Sequence, residues 1–198
     1  MSTTIEFTWD SRDLQVWRGP SKVWWAVAVA MTKAGGDAAR AMKAEASRGV
    51  RSKKRMKVAM VNKSLPLTFP TSKEISRLAW RMDVSGALVP VYALPHRQTR
   101  KGVTVEINVG KRTLIKGAFL ATMKSGHRGV FMRTGEFGRR GNPKLEKIKE
   151  AFTTKVSDVF RDAGFIPAVQ AKAQARFTSA FARLLPMELD KLKNKGGT

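Results

Sequence analysis

The spacing of apolar residues changes twice along the chain. After a break at Arg18-Gly19-Pro20-Ser21, apolar side chains recur every three or four positions at Trp24, Val27, Met31, Ala34, Ala38, Met42 and Ala46. That spacing predicts a long helix with one buried face, capped at its start by Ser21. Gly35-Gly36 falls in its middle. At about 1 kcal/mol per glycine relative to alanine, the pair predicts a kink or a change of helix there. A passage rich in proline and turn formers, VNKSLPLTFPTSKE, follows. From Leu78 the period falls to two, with Leu78, Trp80, Met82 and Val84 on one face and Arg77, Ala79, Arg81 and Asp83 on the other. That is the pattern of a half-buried strand.

Further strands follow. Ser85-Gly86 turns the chain into Val89–Leu94, which Pro90 and Pro95 confine to a sheet edge. Val103, Val105, Ile107 and Val109 alternate with Thr104, Glu106 and Asn108, and Gly110-Lys111 turns that strand into Arg112–Ile115. Next comes GAFLATMKSGHRGVFMRTG, Gly117–Gly135. Phe119, Ala121 and Met123 share one face, Val130 and Met132 recur at the same period, and Lys-Ser-Gly-His joins them, so the stretch predicts a hairpin with Gly126 at a positive φ. The last third returns to helical spacing. Leu145, Ile148, Phe152, Val156 and Phe160 predict a helix after Pro143, closed by Gly164 and Pro167. Val169, Ala173, Phe177, Phe181, Leu184 and Glu188 predict another, which Pro186 kinks or ends. At the other end, TIEFTWD reads as an edge strand or as an arm added to a neighbour's sheet.

These elements make one α+β domain over residues 1–198: a long N-terminal helix and C-terminal helices around an antiparallel sheet of five or six strands. Its parts are an arm or edge strand at 1–20, a helical region at 21–64, the sheet at 75–135, helices at 142–192 and a flexible basic tail at 193–198. An apolar fraction of 42% is sufficient for a core. The absence of cysteine removes disulfides, thiolate nucleophiles and cysteine metal sites. The longest apolar run, Val23–Met31, is far shorter than the roughly 18 to 20 residues of a membrane span. Neither a membrane partner nor a signal peptide is expected, and the protein is expected to stay where it is made.

Charge changes the picture most. Thirty-eight Lys and Arg against fifteen Asp and Glu give a formal net charge of +23. Such an excess attracts polyanions, and nucleic acid is the commonest of them. No acid lies between Glu45 and Glu74, where Arg48, Arg51, Lys53, Lys54, Arg55, Lys57, Lys63 and Lys73 fall. A second group, Arg97, Arg100, Lys101, Lys111, Arg112 and Lys116, surrounds the central strands. Each run reads equally as a solvated face or as a phosphate contact. Catalytic chemistry finds little support. His96 and His127 are the two histidines and stand in no ligand spacing, and the carboxylates of the central region, Asp83, Glu106 and Glu136, are isolated in sequence. GEFGRRGN lacks the order of a phosphate-binding loop. No catalytic residue, metal or cofactor is assigned.

The hairpin stretch, with RQTRKGV at Arg97–Val103 before it and GNPKLEKI after it, resembles the minor tail protein Z family of long-tailed bacteriophages. The resemblance covers roughly Pro66 to Phe160. It implies a structural protein of the virion that completes the head-proximal end of the tail and supports head-tail joining, assembled in the host cytoplasm. It also implies a closed ring of copies of itself, six-fold if it follows the tail tube, against tail terminator, tail tube or head-tail connector proteins, with genomic DNA passing through the lumen. The candidate partner-facing or DNA-facing residues are Arg97, Arg100, Lys101, Lys111, Arg112, Lys124, His127, Arg128 and Arg133. Lys124–Arg133 is the expected contact hairpin, and Ala26–Val50 an inter-subunit or core helix. A sequence-independent nucleic-acid-binding protein is the alternative, resting on charge alone.

Overall fold

The computed structural model describes residues 3–8, 21–70, 78–139 and 142–195. Helix α1 (Ser21–Lys53) runs without a break through Gly35-Gly36. The expected change of helix does not occur. An added Cβ at Gly35 would stand 1.9 Å from the Trp80 ring, whereas one at Gly36 would meet nothing closer than 3.9 Å. Gly35 is thus the recess into which the largest core side chain packs, and the helix tolerates its poor propensity because burying a tryptophan contributes more, about 1.5 to 3 kcal/mol.

The expected helix face is the core of the protein. Met31, Ala34, Ala38, Met42, Ala46 and Val50 are fully buried, with Val27 nearly so. After the short helix α2 (Val58–Lys63), the second long helix, α3 (Phe165–Lys195), lies along α1 and buries Val169, Ala173, Phe177 and Ala180. The alanines let the two backbones approach closely. Ala26–Val50, expected as an inter-subunit or core helix, is a helix of the core. Gly164 and Pro167, expected to close a helix, instead open one: α3 begins at Phe165, and Pro167 falls in its first turn, where a missing N–H removes no intrahelical bond. The helix continues through Pro186 to Lys195, into the residues expected to be a loose tail; 196–198 lie outside the described residues.

The expected sheet of five or six strands is four small antiparallel sheets. In the first, β3 (Ala79–Val84) lies between β1 (Thr3–Thr8) and β2 (Leu67–Thr68), and buries Trp80, Met82 and Val84 against α1. Residues 3–8 are therefore an edge strand of their own chain, with Ile5 opposite Met82. The chain then leaves this sheet. β4 (Leu88–Pro90) ends in a 3-10 turn at Val91–Ala93, because Pro90 has no N–H to continue a ladder. The second sheet has the order β5 (His96–Thr99), β6 (Gly102–Asn108), β7 (Lys111–Lys116). Val103 and Val105 face the core as expected, but Val109 stands exposed in the turn.

The hairpin forms as the sequence predicts in β8 (Phe119–Thr122) and β9 (Arg128–Arg139), with Thr122 opposite Arg128 and Gly126 at φ +80°. Its faces differ from expectation. Phe119 pairs with the buried Phe131, Val130 is buried on the opposite side, and Met132 is exposed. The helix expected over Leu145–Phe160 is absent. That stretch forms β10 (Asn142–Glu150), which pairs with β9, then β11 (Phe152–Lys155), which pairs with β4, and a 3-10 turn at Val156–Arg161. The β-branched Thr153-Thr154 favours the strand, and Asp158 Oδ2 fixes the following turn by accepting from the Lys155 N–H at 2.9 Å and the Thr154 hydroxyl at 3.0 Å. That backbone donor, above all, holds the Asp158 carboxyl below its usual range.

Candidate functional site

The basic run after Glu45 does not trail away as a solvated loop. Leaving α1, Lys54 forms a bridge opposite Asn108, the Arg55 N–H donates to Ile107 O at 3.0 Å, and the Val109 N–H donates to Lys53 O at 3.2 Å. The two backbone hydrogen bonds of this bridge clamp the end of the helix to the end of β6. Lys54 Nζ adds a bond to Asn108 Oδ1 at 2.8 Å. The negative end of the α1 dipole favours cations in this last turn.

Two depressions adjoin across this junction. The larger, about 470 Å³, has Arg48, Arg51, Arg55 and Lys57 in its walls, with Met56 beneath and Pro95 at its rim. The smaller, about 320 Å³, begins at the same Pro95 and takes in His96, Arg97, Glu106 and Arg112. The pairing explains the second set. Arg97 lies opposite Thr104 and Arg112 opposite Glu106, and Thr104 and Glu106 are two apart on β6, so all four project from the outer face of the sheet.

Among the described residues, Glu106 is the one carboxylate in either lining. It accepts the Gly110 N–H at 3.0 Å and stands 3.9 Å from the Arg55 guanidinium. Arg48 is paired with Glu45. Arg51, Lys57, Arg97 and Arg112 have no acidic partner among the described residues. Both depressions therefore carry uncompensated positive charge. His96 Nδ1 lies 2.7 Å from Leu94 O, so that nitrogen carries the proton of the neutral ring and Nε2 is left as the free nitrogen. A third depression, of about 510 Å³ behind Lys53, differs in charge because Asp158 and Asp162 stand in its wall. Lys53 donates to Asp162 and holds that carboxyl below its usual range.

The nine residues singled out in the sequence do not converge on one surface. Arg97 and Arg112 meet in the groove. Arg100 and Lys101 form the turn between β5 and β6, and Lys111 the start of β7. Lys124, His127, Arg128 and Arg133 belong to a different sheet, and three of them are engaged internally. His127 Nε2 is 3.1 Å from Glu150, Arg133 is 3.1 Å from Glu146 and lies over the Phe119 ring, and Arg128 lies over the Tyr92 ring. Arg133 over Phe119 joins the two strands of the hairpin, and the other contacts tie the hairpin to β10 and to the Val91–Ala93 turn. Lys124, at the turn, has no charge partner among the described residues.

Arg51, Arg55 and Lys57 were legible as a basic run, but the sequence gives no sign that their depression shares Pro95 with the one lined by Arg97 and Arg112. No group of three or more His, Asp or Glu among the described residues is placed to hold a metal ion, and no helix among them is long and apolar enough to cross a membrane. No protein-family model, curated protein or solved structure matches the chain.

Proposed function

We propose that this chain is a structural protein of a phage tail, which completes the head-proximal end of the tail and supports joining to the head. The observation that carries the reading is the Arg97–Val103 and Gly117–Gly135 sequence with its resemblance to the tail protein Z family. The form of the hairpin supports it. β9 and β10 continue past the core as a long two-stranded arm in which residues 132–138 are exposed, including Met132 and Phe137. Arg133 to Glu146 and Lys147 to Glu136 tie its two strands together. A paired arm with exposed apolar side chains suits contact with neighbouring subunits in a closed ring, six-fold where it follows the tube. Tail terminator, tube or connector proteins are the further partners in this reading, and genomic DNA passes through the lumen.

The reading is tested by removing the coding sequence from the source phage. Filled heads and tails left unfinished at their head-proximal end should accumulate without productive joining, and supplying the protein in trans should restore infectivity. Normal infectious particles without the chain would contradict it.

A further inference from the structure

We propose that the groove between the end of α1 and the outer face of the β5-β6-β7 sheet binds the phosphodiester backbone of duplex nucleic acid, without regard to base sequence. The inference rests on the groove alone and does not require the tail reading. Arg51 and Lys57 line one depression, Arg97 and Arg112 line the next, and Pro95 lines both, so the two are neighbours on the surface. None of the four has an acidic partner among the described residues, and the one carboxylate present, Glu106, already accepts a backbone N–H and faces Arg55. The backbone contacts at Lys53–Arg55 join the stretch that carries Arg51 and Lys57 to the sheet that carries Arg97 and Arg112, so these like charges are kept near one another despite their repulsion. Such a site is completed by a ligand carrying closely spaced charges, and duplex DNA presents one about every 1.7 Å of its axis. Guanidinium groups pair with phosphate oxygens in a bidentate manner, which suits three of the four.

The lining also argues for the duplex over a single strand. Single-strand sites present aromatic faces on which bases stack. Here the one ring is His96, and it packs against Tyr92 with centroids 4.9 Å apart. The surface can grip a backbone but offers nothing to an unstacked base. The remainder of the contact is charge and shape, so sequence preference should be absent.

Fluorescence anisotropy with a mixed-sequence duplex of about 20 base pairs tests this. Four phosphate contacts predict a slope of about −3.6 for log K against log salt. Arg97→Glu with Arg112→Glu should weaken binding about tenfold or more. Arg51→Glu with Lys57→Glu, in the neighbouring depression and outside the sheet, should do the same, which guards against misfolding of one variant. Arg100→Glu with Lys101→Glu carries the same change of charge at the β5–β6 turn and should weaken binding less than about threefold, through long-range charge alone. Polyglutamate of matched charge and a single strand of equal length should compete more weakly than the duplex. Equal losses in all three double variants, or displacement by polyglutamate or single strand as effective as by duplex, would overturn the proposal. Binding to purified protein is independent of particle location: a chain absent from virions but showing this pattern would remove the tail reading and leave the groove standing, and the converse result would do the reverse.

Discussion

Two neighbouring glycines with opposite roles show how much one residue decides here. Gly35 and Gly36 are indistinguishable by propensity, and each costs α1 about 1 kcal/mol relative to alanine. Their surroundings separate them. Gly36→Ala places its methyl in ordinary contact, 3.9 Å from the Arg40 guanidinium and the Phe69 ring, and should stabilise the protein by up to about 1 kcal/mol. Gly35→Ala forces a methyl to within 1.9 Å of the rigid, fully buried Trp80 ring, and overpacking of about 1 to 3 kcal/mol or more outweighs the gain in propensity. Denaturant midpoints should move in opposite directions for the two variants. A stabilised Gly35→Ala protein would show that Trp80 is not seated as described. The sequence marks both glycines as a weak point in a helix. Which one is a packing recess depends on a residue 45 positions away, and local pattern contains no trace of it.

At the scale of elements, the joint between the two long helices includes a buried carboxylate. Glu188 lies on the buried face of α3, 5% exposed, and accepts from Lys33 of α1 at 2.7 Å and from Lys191 at 2.9 Å. The Lys33 bond first, and the Lys191 bond second, hold its carboxyl below the usual glutamate value of 4.5. A depressed carboxyl binds its proton less readily folded than unfolded. Its contribution is therefore complete above pH 4.5 and is lost as pH falls through the lower folded value. Glu188→Gln should cost about 1 to 2 kcal/mol near neutrality. That difference should shrink as pH falls below 4.5 and through the lower folded value. Urea unfolding across that range checks the sign, and a difference independent of pH would contradict the ion-paired arrangement. The spacing of α3 places Glu188 on the apolar stripe, which is how a buried acid can be read from sequence, although its partner on α1 cannot. Similar reasoning explains the failure at Leu145–Phe160. Leu145, Ile148, Phe152 and Val156 fit a helix in isolation, and it is pairing with β9 and β4, a contact between distant elements, that makes the stretch strands.

On the scale of the whole molecule, the long helix, the central strands and the β8–β9 turn were legible because each is fixed by periodicity or by a glycine requirement within a few residues. The division into four sheets was not, because it depends on where each strand finds a partner once Pro90 and the turns redirect the chain. The cationic groove stands between these cases. Its charges are plain in a chain of net charge +23, but its two depressions are lined by residues some forty positions apart, joined by the contacts of Lys53–Arg55 with the end of β6. Half of the candidate surface was thus visible as composition and the other half only as geometry. The exposed β9–β10 arm and the basic depressions give the molecule two unlike surfaces, which the proposed reading assigns to neighbouring subunits and the proposed inference to a polyanion. The most direct test of the structural role is to locate the chain in purified virions of its source by electron microscopy, with copy number from quantitative mass spectrometry. The account predicts a small, symmetric number of copies confined to the head-proximal end of the tail. Particles complete and infectious without the chain, or copies spread along the tube, would contradict it.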